Sequence, residues 1–241
     1  MTYSSFDYSC VTDKMSLCMD KIIENRLKPL KFNNSQYFSE AELKERREGN
    51  DDQRFWSLLS DIKRQVNFAI PEERKIQILD IACGECKEAK LLIKFFGNEY
   101  AKSDDGNASL IGVDIDQKRI NRAIELNSDN QNAVFLCKDA TKLDEYPEIP
   151  VQADIIMIRS QQISASKRIW TEIFSQAIKK LTDNGIMIVT SVSDGEHQML
   201  KDAIKNLPFQ ILLDETNPHS RISDGHGQDM KVLVVKALDK K

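Results

Sequence analysis

The sequence predicts an α/β fold of the doubly wound class, in which a largely parallel sheet lies between two layers of helices. Short segments with the near-continuous apolar character of buried parallel strands recur between residues 77 and 237. Amphipathic helical segments separate most of these strands, as the doubly wound class requires. With 241 residues, of which 41% are hydrophobic, the chain can bury one full core and carry an extension.

Seven strands and four connecting helices are expected along this part of the chain. The strands are residues 77–82, 110–113, 134–137, 154–158, 186–192, 209–213 and 231–237. The helices are residues 88–96, 119–124, 169–181 and 196–206. Residues 183–185, Asp-Asn-Gly, are expected to close the third helix as a turn or C-cap. Because no helix separates the last two strands, we expect these to be antiparallel neighbours.

The first strand leads into a tight turn of small residues, a feature of ligand-binding loops. Gly84 lets the backbone bend without a Cβ in the way, and the free N–H groups of the next helix face the carboxyl end of the strand. Open α/β sheets bind their ligands at that edge. Asp114 ends the second strand, where a carboxylate can accept both hydroxyls of a ribose.

This arrangement of Asp80, Gly84 and Asp114 resembles the class I S-adenosylmethionine-dependent methyltransferases, whose first motif is acidic-x-Gly-x-Gly-x-Gly. Ala82 stands in place of the first glycine of that motif, and Cys86 stands in place of the third. The resemblance covers residues 75–237. It implies a Rossmann-like, seven-stranded sheet with a C-terminal antiparallel strand, and S-adenosyl-L-methionine as the cofactor.

The resemblance also implies which residues hold the cofactor. Family members read the adenine amino group just after the third strand, where this chain has Asp139 and Ala140. The residues expected to bind the cofactor come from the turn and from the ends of four strands: Asp80, Ala82, Cys83, Gly84, Asp114, Ile115, Asp139, Ala140 and Arg159.

Three residues are candidates for acting on the methyl acceptor. Transfer of an activated sulfonium methyl needs an oriented nucleophile and, for a hydroxyl or protonated amine, a base. Histidine titrates near neutral pH, and the loop of residues 214–229 contains His219 and His226. Arg159 follows the fourth strand, where it could orient a carboxylate or carbonyl of the acceptor. The alternatives are that the histidines are solvated loop residues and that Arg159 caps the following helix.

Other interpretations of the turn fit the sequence less well. A dinucleotide fingerprint needs Gly-x-Gly-x-x-Gly, of which only Gly84 is present. Cys83 and Cys86 have the spacing of a thioredoxin-like redox pair, but the aromatic residue that precedes such sites is missing. The other cysteines form no second closely spaced pair, so no metal site is expected. The simplest alternative is that both thiols fill small spaces in a reduced, cytoplasmic protein.

Charge and hydropathy bear on partners. The chain has 34 basic and 38 acidic residues, a net charge of −4, and no long basic block. Binding to nucleic acid normally needs a basic patch, so a polynucleotide acceptor is disfavoured. No apolar run resembles a signal peptide or a membrane span. We therefore expect a cytoplasmic protein with a small-molecule substrate and no membrane partner; the oligomeric state is not predicted.

Residues 1–70 are expected to form an N-terminal helical extension or lid, and residues 71–241 the methyltransferase domain. Apolar residues at helical spacing from Phe55 to Val66 predict a helix that packs on the sheet. Aromatic residues between Tyr3 and Phe38 are expected to cover the cofactor and shape an acceptor pocket. The predicted function is methyl transfer to a small molecule. The alternatives are a noncatalytic S-adenosylmethionine-binding interaction protein, and a protein or RNA methyltransferase whose partner supplies basic charge.

Overall fold

The structure is a computed structural model that describes residues 51–66, 74–99, 107–223 and 226–238. The helices are α1 Asp51–Gln65, α2 Ala89–Glu99, α3 Gln117–Leu126, α4 Lys167–Lys180 and α5 Asp194–Ile204. Two short 3-10 helices are Ala140–Glu145 and Ile163–Ala165. The strands are β1 Ile76–Ile81, β2 Ala108–Asp114, β3 Ala133–Cys137, β4 Ala153–Gln161, β5 Leu181–Ser191, β6 Phe209–Thr216, β7 Arg221–Ser223, β8 His226–Gln228 and β9 Lys231–Ala237.

Seven of these strands form one sheet in the order β3-β2-β1-β4-β5-β9-β6. The first five in that order are parallel, whereas β9 is antiparallel to both β5 and β6. The strand order reverses between β1 and β4, and open sheets of this kind bind ligands at the carboxyl ends of the strands beside such a reversal. The predicted Rossmann-like sheet with a C-terminal antiparallel strand is therefore confirmed.

Helices cover both faces of the sheet and enclose two apolar cores. Alternate residues of one strand face opposite sides, so Ile78 belongs to one core and its neighbour Leu79 to the other. The first core is closed by residues of α1, α2 and α3, and the second by residues of α4, α5 and the first 3-10 helix. Each strand of the centre is thus buried on both faces, which explains its continuous apolar sequence.

Helix α1 confirms the apolar stripe read from the sequence. Phe55, Leu58, Leu59, Ile62 and Val66 are each at most 4% exposed and belong to the first core. The helix begins with two acidic residues and ends with two basic ones, which matches the helix dipole at both ends. Its first residue, Asp51, contacts Arg159 near the carboxyl end of β4, the sheet edge at which the ligand site is expected.

The predicted turn or C-cap at residues 183–185 is wrong. Helix α4 ends at Lys180 and β5 begins at once with Leu181, so residues 183–185 lie within the strand and do not close the helix. Leu181 is fully buried and pairs with Ala153, which imposes an extended backbone directly after the helix. Position 185 favours glycine, because a Cβ there would lie only 3.0 Å from the carbonyl oxygens of Ala153 and Asp154.

The loop predicted at residues 214–229 is also partly regular. Strand β6 continues to Thr216, and β7 pairs with β8 as a short antiparallel hairpin. The expected helices and aromatic residues of the first 50 positions, Cys10, Cys18 and the junction at residues 71–73 lie outside the described residues. Among the helices that the structure describes, none is long and apolar enough to cross a bilayer.

Candidate active site

The turn after β1 has the backbone of a glycine-rich loop although it contains one glycine. Ala82, Gly84 and Cys86 all adopt positive φ angles, of 55°, 58° and 43°. These are the three positions at which the resemblance expects glycine. An L-residue in this left-handed region costs roughly 1–2 kcal/mol, so the turn holds backbone strain at Ala82 and Cys86. The conformation that defines the loop is therefore retained without its usual residues.

Asp80 is the penultimate residue of β1, just before this turn, and is fully buried. Its Oδ2 accepts a hydrogen bond from the Cys86 thiol at 3.1 Å, whereas its Oδ1 has no partner in the part of the chain that the structure describes. Burial, followed by the nearby charge of Glu88, raises the pKa of Asp80 well above its usual value. A buried acceptor without a donor is costly, so Oδ1 is available to a ligand.

Asp114 ends β2 and connects that strand to the turn. Its Oδ2 accepts from the Gly84 N–H at 2.8 Å, and its Oδ1 accepts from the Asp116 N–H at 2.8 Å. Each carboxylate oxygen has two lone pairs, so both can still accept a hydroxyl. The next residue, Ile115, is 74% exposed at the end of the strand, an unusual position for a large apolar side chain.

Asp139 and Ala140 follow β3, the neighbour of β2 in the sheet. The Asp139 carboxylate caps the 3-10 helix by accepting from the N–H and hydroxyl of Thr141 at 2.9 and 2.8 Å. Ala140 is 9% exposed and packs in the second core. Both residues lie at the predicted edge, and Asp139 has a structural contact of its own there.

Arg159, near the carboxyl end of β4, joins three parts of the protein. Its Nε and Nη2 donate to Asp229 Oδ2 at 2.9 and 2.6 Å, and Nη2 also donates to both oxygens of Asp51 at 3.0 and 3.1 Å. The guanidinium lies 4.1 Å from the centroid of the Phe55 ring. Burial alone would lower the pKa of Arg159, but the charge of Asp229 outweighs it, so the pKa is raised and the side chain is a permanent cation.

Asp229, the main partner of Arg159, is itself fixed by three further hydrogen bonds. Its Oδ1 accepts from the hydroxyls of Ser160 and Thr190, at 2.8 and 2.5 Å, and its own N–H donates to Ser160 Oγ. Asp229 is 4% exposed, and both it and Ser160 have positive φ angles of 53°. The β8–β9 turn is thereby fixed to the ends of β4 and β5.

Glu88 lies at the end of the turn, directly before α2. Its side chain is 12% exposed, and its Oε1 is 3.8 Å from Arg159 Nη1, which is beyond hydrogen-bond distance. Burial raises the pKa of Glu88, and the attraction of Arg159 opposes that shift only in part. The Glu88 carboxyl group, at the end of the turn, therefore gives up its proton less readily than an exposed glutamate does.

Some of these groups line an open cavity of about 350 Å³ next to the turn and β4. The lining residues come from α1, β1, the turn, α3, β4 and β8: Asp51, Asp80, Ala82, Cys83, Glu85, Cys86, Lys87, Glu88, Arg119, Arg159, Ser160 and Gln228. The cavity therefore brings together Asp80, Ala82, Cys83 and Arg159 of the residues predicted from the sequence. Asp114, Ile115, Asp139 and Ala140 lie along the adjoining strand ends and do not line it, and neither does Gly84 of the turn.

The two candidate histidines have different positions. His219 is 3% exposed, and its Nε2 lies 2.8 Å from Asp61 Oδ2 on α1. It joins the segment between β6 and β7 to that helix and does not line the cavity. The backbone of His226 begins β8, opposite Ser223 and two residues before Gln228, which does line the cavity. A catalytic role for either histidine stays a prediction.

The two cysteines of the turn are unoxidised and buried. The hydrogen bond with Cys83 and burial raise the pKa of Cys86 well above its usual value. The same hydrogen bond favours the Cys83 thiolate, but burial and the carboxylate of Asp80 outweigh it, so the pKa of Cys83 is raised too. Redox-active cysteines have lowered pKa values, so this geometry does not favour the thioredoxin-like alternative.

Sequence reasoning missed the cavity residues Glu88 and Asp51, and also Asp229, which holds Arg159. Glu88 stands in the sequence as an ordinary first-turn acidic residue, and Asp51 as the start of an apolar helix. Asp229 precedes the last strand with nothing to distinguish it. What could have identified Glu88 is its position two residues after the last position of the glycine motif, which directs it toward the same edge as Arg159. Within the described ranges, no group of three or more potential ligands is placed to hold a metal ion.

The comparisons with known proteins agree with this geometry. The family model described as a methyltransferase domain matches residues 72–230, about two thirds of the chain. The chain therefore belongs to the methyltransferase domain family, and its fold is that of the class I S-adenosylmethionine-dependent methyltransferases. No curated protein sequence matches it.

Solved structures with this fold differ in what their names say they act on. An rRNA methylase from Streptococcus thermophilus is 10% identical, with a TM-score of 0.52, over 78% of this chain and 96% of that one. The N-methyltransferase NodS from Bradyrhizobium japonicum is 11% identical, with a TM-score of 0.52, over 78% and 96%. The [4+2]-cyclase SpnF is 14% identical, with a TM-score of 0.54, over 77% and 81%. At such identities the likeness extends to the fold and not to the acceptor.

Proposed function

We propose that this protein transfers the methyl group of S-adenosyl-L-methionine to a small-molecule acceptor. The observation that carries the proposal is the alignment of polar and apolar groups along four adjacent strand ends, in the order β3, β2, β1 and β4. Three strand spacings correspond to about 14 Å, a length suited to an extended nucleoside joined to an amino acid. The groups at each strand end match the successive parts of such a molecule.

The residues at these strand ends fit the cofactor. Asp80 Oδ1, which has no partner within the described ranges, can accept from a ligand donor in the cavity, and the remaining lone pairs of Asp114 can accept ribose hydroxyls. Ile115 offers an exposed apolar surface beside Asp114, which suits the face of a base. Asp139 and Ala140 would border the same base, and Ala82, Cys83 and Gly84 would contact the ligand through the turn.

The bound cofactor would supply an activated sulfonium methyl group, and the chain would orient the acceptor and exclude water. Arg159 is held by Asp229 and Asp51, so it is a fixed wall of the cavity with its remaining N–H groups available to a carbonyl. His226 is the histidine whose strand adjoins the cavity, which supports it over His219 as a base. Orientation of this kind contributes up to about 7–11 kcal/mol in intramolecular models.

A small acceptor is supported by the cavity and by the charge of the chain. The cavity has a volume of about 350 Å³, and its lining contains four carboxylates against three cations. A polynucleotide would meet these carboxylates with its phosphates, which favours a small molecule unless a partner subunit supplies basic charge. A salt-dependent complex with RNA would contradict this part of the proposal. The free thiols of Cys83 and Cys86 suit a reducing compartment such as the cytoplasm.

Calorimetric titration of S-adenosylmethionine and S-adenosylhomocysteine into the reduced protein tests the cofactor site. Asp114→Asn is expected to weaken both ligands at least about tenfold, because the amide loses the charge and half of the acceptor sites that serve Gly84 and the ribose. Asp183→Asn, an exposed aspartate in β5, is the matched control. Absence of binding to the wild type would overturn the proposal.

The second candidate is a noncatalytic S-adenosylmethionine-binding protein. The observation that favours it is the strained, nonglycine turn, in which Cys86 has a φ of 43°. Release of S-adenosylhomocysteine that depends on an added acceptor separates the two candidates. Cofactor binding without such release across amine, hydroxyl, thiol and carbon acceptors would favour the noncatalytic protein.

A further inference from the structure

Three carboxylates, those of Asp229, Asp51 and Glu88, lie around the Arg159 guanidinium at the cavity. Arg159 donates two hydrogen bonds to Asp229, at 2.6 and 2.9 Å, so the carboxylate of Asp229 is by itself enough to balance the charge of the guanidinium. Asp51 binds the same Nη2 atom at 3.0 and 3.1 Å. Glu88 is left at 3.8 Å from Nη1, without a direct hydrogen bond to the guanidinium. Arg54 Nη2 also lies 3.4 Å from Asp51 Oδ1, so these three carboxylates and two arginines have one more negative charge than positive ones when all of the carboxyl groups are ionised.

The other cations that line the cavity have acidic neighbours of their own. Lys87 lies 3.0 Å from Glu85, and Arg119 lies 3.8 Å from Asp116. Neither forms an ion pair with Glu88 or Asp80 in the described part of the chain. Asp80, which lines the same cavity, adds a fully buried carboxyl group whose Oδ1 has no partner among the described residues. An unbalanced negative charge in a buried site favours a positively charged ligand.

We propose that Glu88 is the specificity-determining residue by which this site prefers the positively charged sulfonium cofactor over its neutral thioether product. The inference rests on the proposed function, because it concerns the same site. S-adenosylmethionine and S-adenosylhomocysteine share the nucleoside, the ammonium and the carboxylate, and they differ by the methyl group and one positive charge on sulfur. The nearest cation to Glu88 in the described part of the chain is Arg159, at 3.8 Å and shared with Asp229 and Asp51, so the Glu88 carboxylate can distinguish these two ligands by that charge.

The same geometry makes cofactor binding depend on pH. Glu88 faces Arg159 from β4, Asp229 from the β8–β9 turn, Asp51 from α1 and Asp80 from β1. Burial raises its pKa in the free protein, and a bound sulfonium lowers it again. At a pH at which Glu88 is protonated in the free protein, binding of S-adenosylmethionine should therefore release a proton, and the affinity for this ligand should rise as the pH rises through the pKa of Glu88 in the free protein. The neutral product lacks this linkage.

Calorimetry with both ligands, at two pH values and in two buffers of different ionisation enthalpy, measures affinity and proton release together. In the wild type, we expect proton release with S-adenosylmethionine and little with S-adenosylhomocysteine. Glu88→Gln should weaken S-adenosylmethionine about tenfold, the equivalent of one pKa unit, and change S-adenosylhomocysteine by less than about twofold. Glu88→Asp keeps the charge and should retain most of the preference. Glu172→Gln, an exposed residue of α4, is the matched control.

The outcomes separate this inference from the proposed function. Failure of both ligands to bind the wild type overturns the proposed function and the inference together. Binding of both ligands with an unchanged affinity ratio in Glu88→Gln overturns the inference alone. An equal loss of both ligands in Glu88→Gln, with a circular dichroism spectrum and thermal midpoint like those of the wild type, also overturns it, because a purely structural role would affect both ligands alike.

Discussion

Residue identity and backbone conformation are separate requirements in the turn after β1. Ala82 and Cys86 hold the left-handed conformation that glycine adopts without penalty. Their side chains are retained because they pack: Cys86 is 1% exposed and donates to Asp80. The glycine motif could be recognised from Asp80 and Gly84 alone, because the strand before it and the helix after it were both evident. That Cys86 also adopts the glycine conformation could not be predicted, since residue type argues against it.

Gly84 offers a direct test of this conformational requirement. Gly84→Ala should destabilise the protein by about 1 kcal/mol, because alanine is strained at a φ of +58° although its Cβ would have only ordinary contacts, at 3.7 Å from Arg119. Gly195→Ala, in the first turn of α5, should instead stabilise by about 0.5 kcal/mol. Urea unfolding measures both. Equal effects of the two substitutions would show that the φ of Gly84 carries no penalty.

At the scale of elements, α1 is fixed to the sheet by polar contacts at two levels as well as by its apolar stripe. Asp51 at its first residue binds Arg159 of β4, and Asp61 lies 2.8 Å from His219 in the segment between β6 and β7. The stripe was predictable from 3.6-residue spacing, because burial of one helix face leaves a periodic record in the sequence. The polar contacts join residues more than 100 positions apart, and no local pattern records them.

The Asp61–His219 contact should make the attachment of α1 sensitive to acid. Burial alone would raise the pKa of Asp61, but the hydrogen bond and charge of His219 outweigh it, so the pKa lies below the usual value of 3.8. A depressed carboxyl pKa gives stability that is present above pH 3.8 and is lost as the pH falls through the lower folded-state value. Asp61→Asn should therefore lower stability at pH 6 and show a weaker loss of stability on acidification.

Urea unfolding of the wild type and Asp61→Asn between pH 6 and pH 2.5 checks this prediction. Asp52→Asn, in the first turn of the same helix and exposed, provides the control for removing a charge from α1. Parallel pH profiles for the wild type and Asp61→Asn would mean that neither His219 nor Arg64 stabilises the Asp61 carboxylate. The attachment of α1 would then depend on its apolar stripe and on the Asp51–Arg159 contact.

At the scale of the whole molecule, the two ends of the parallel strands have different tasks. The carboxyl ends present the turn, the cavity and its charged lining, whereas the amino ends are closed by a structural contact. There Asp154 accepts from both terminal nitrogens of Arg74 at 2.7 Å, from the Gln77 N–H at 2.9 Å and from Thr182 at 3.2 Å. The order of strands and this division of ends follow from the alternation of strands and helices, so they could be predicted. The pairing of charges within the cavity could not, because it depends on side chains from six separate segments.

This division predicts that stability and ligand binding can be changed separately from the two ends. Asp154→Ala should destabilise the protein by about 2–3 kcal/mol, because Asp154 is 4% exposed and its loss leaves the Gln77 N–H without its acceptor, while the half-exposed Arg74 can return to water. Its affinity for S-adenosylhomocysteine, measured well below the unfolding temperature, should stay within about twofold of the wild type, since no cavity residue contacts Asp154. Asp114→Asn should show the opposite pattern, with a larger loss of affinity than of stability. A fall in ligand affinity with Asp154→Ala as large as that with Asp114→Asn would show that the two ends of the sheet are energetically coupled.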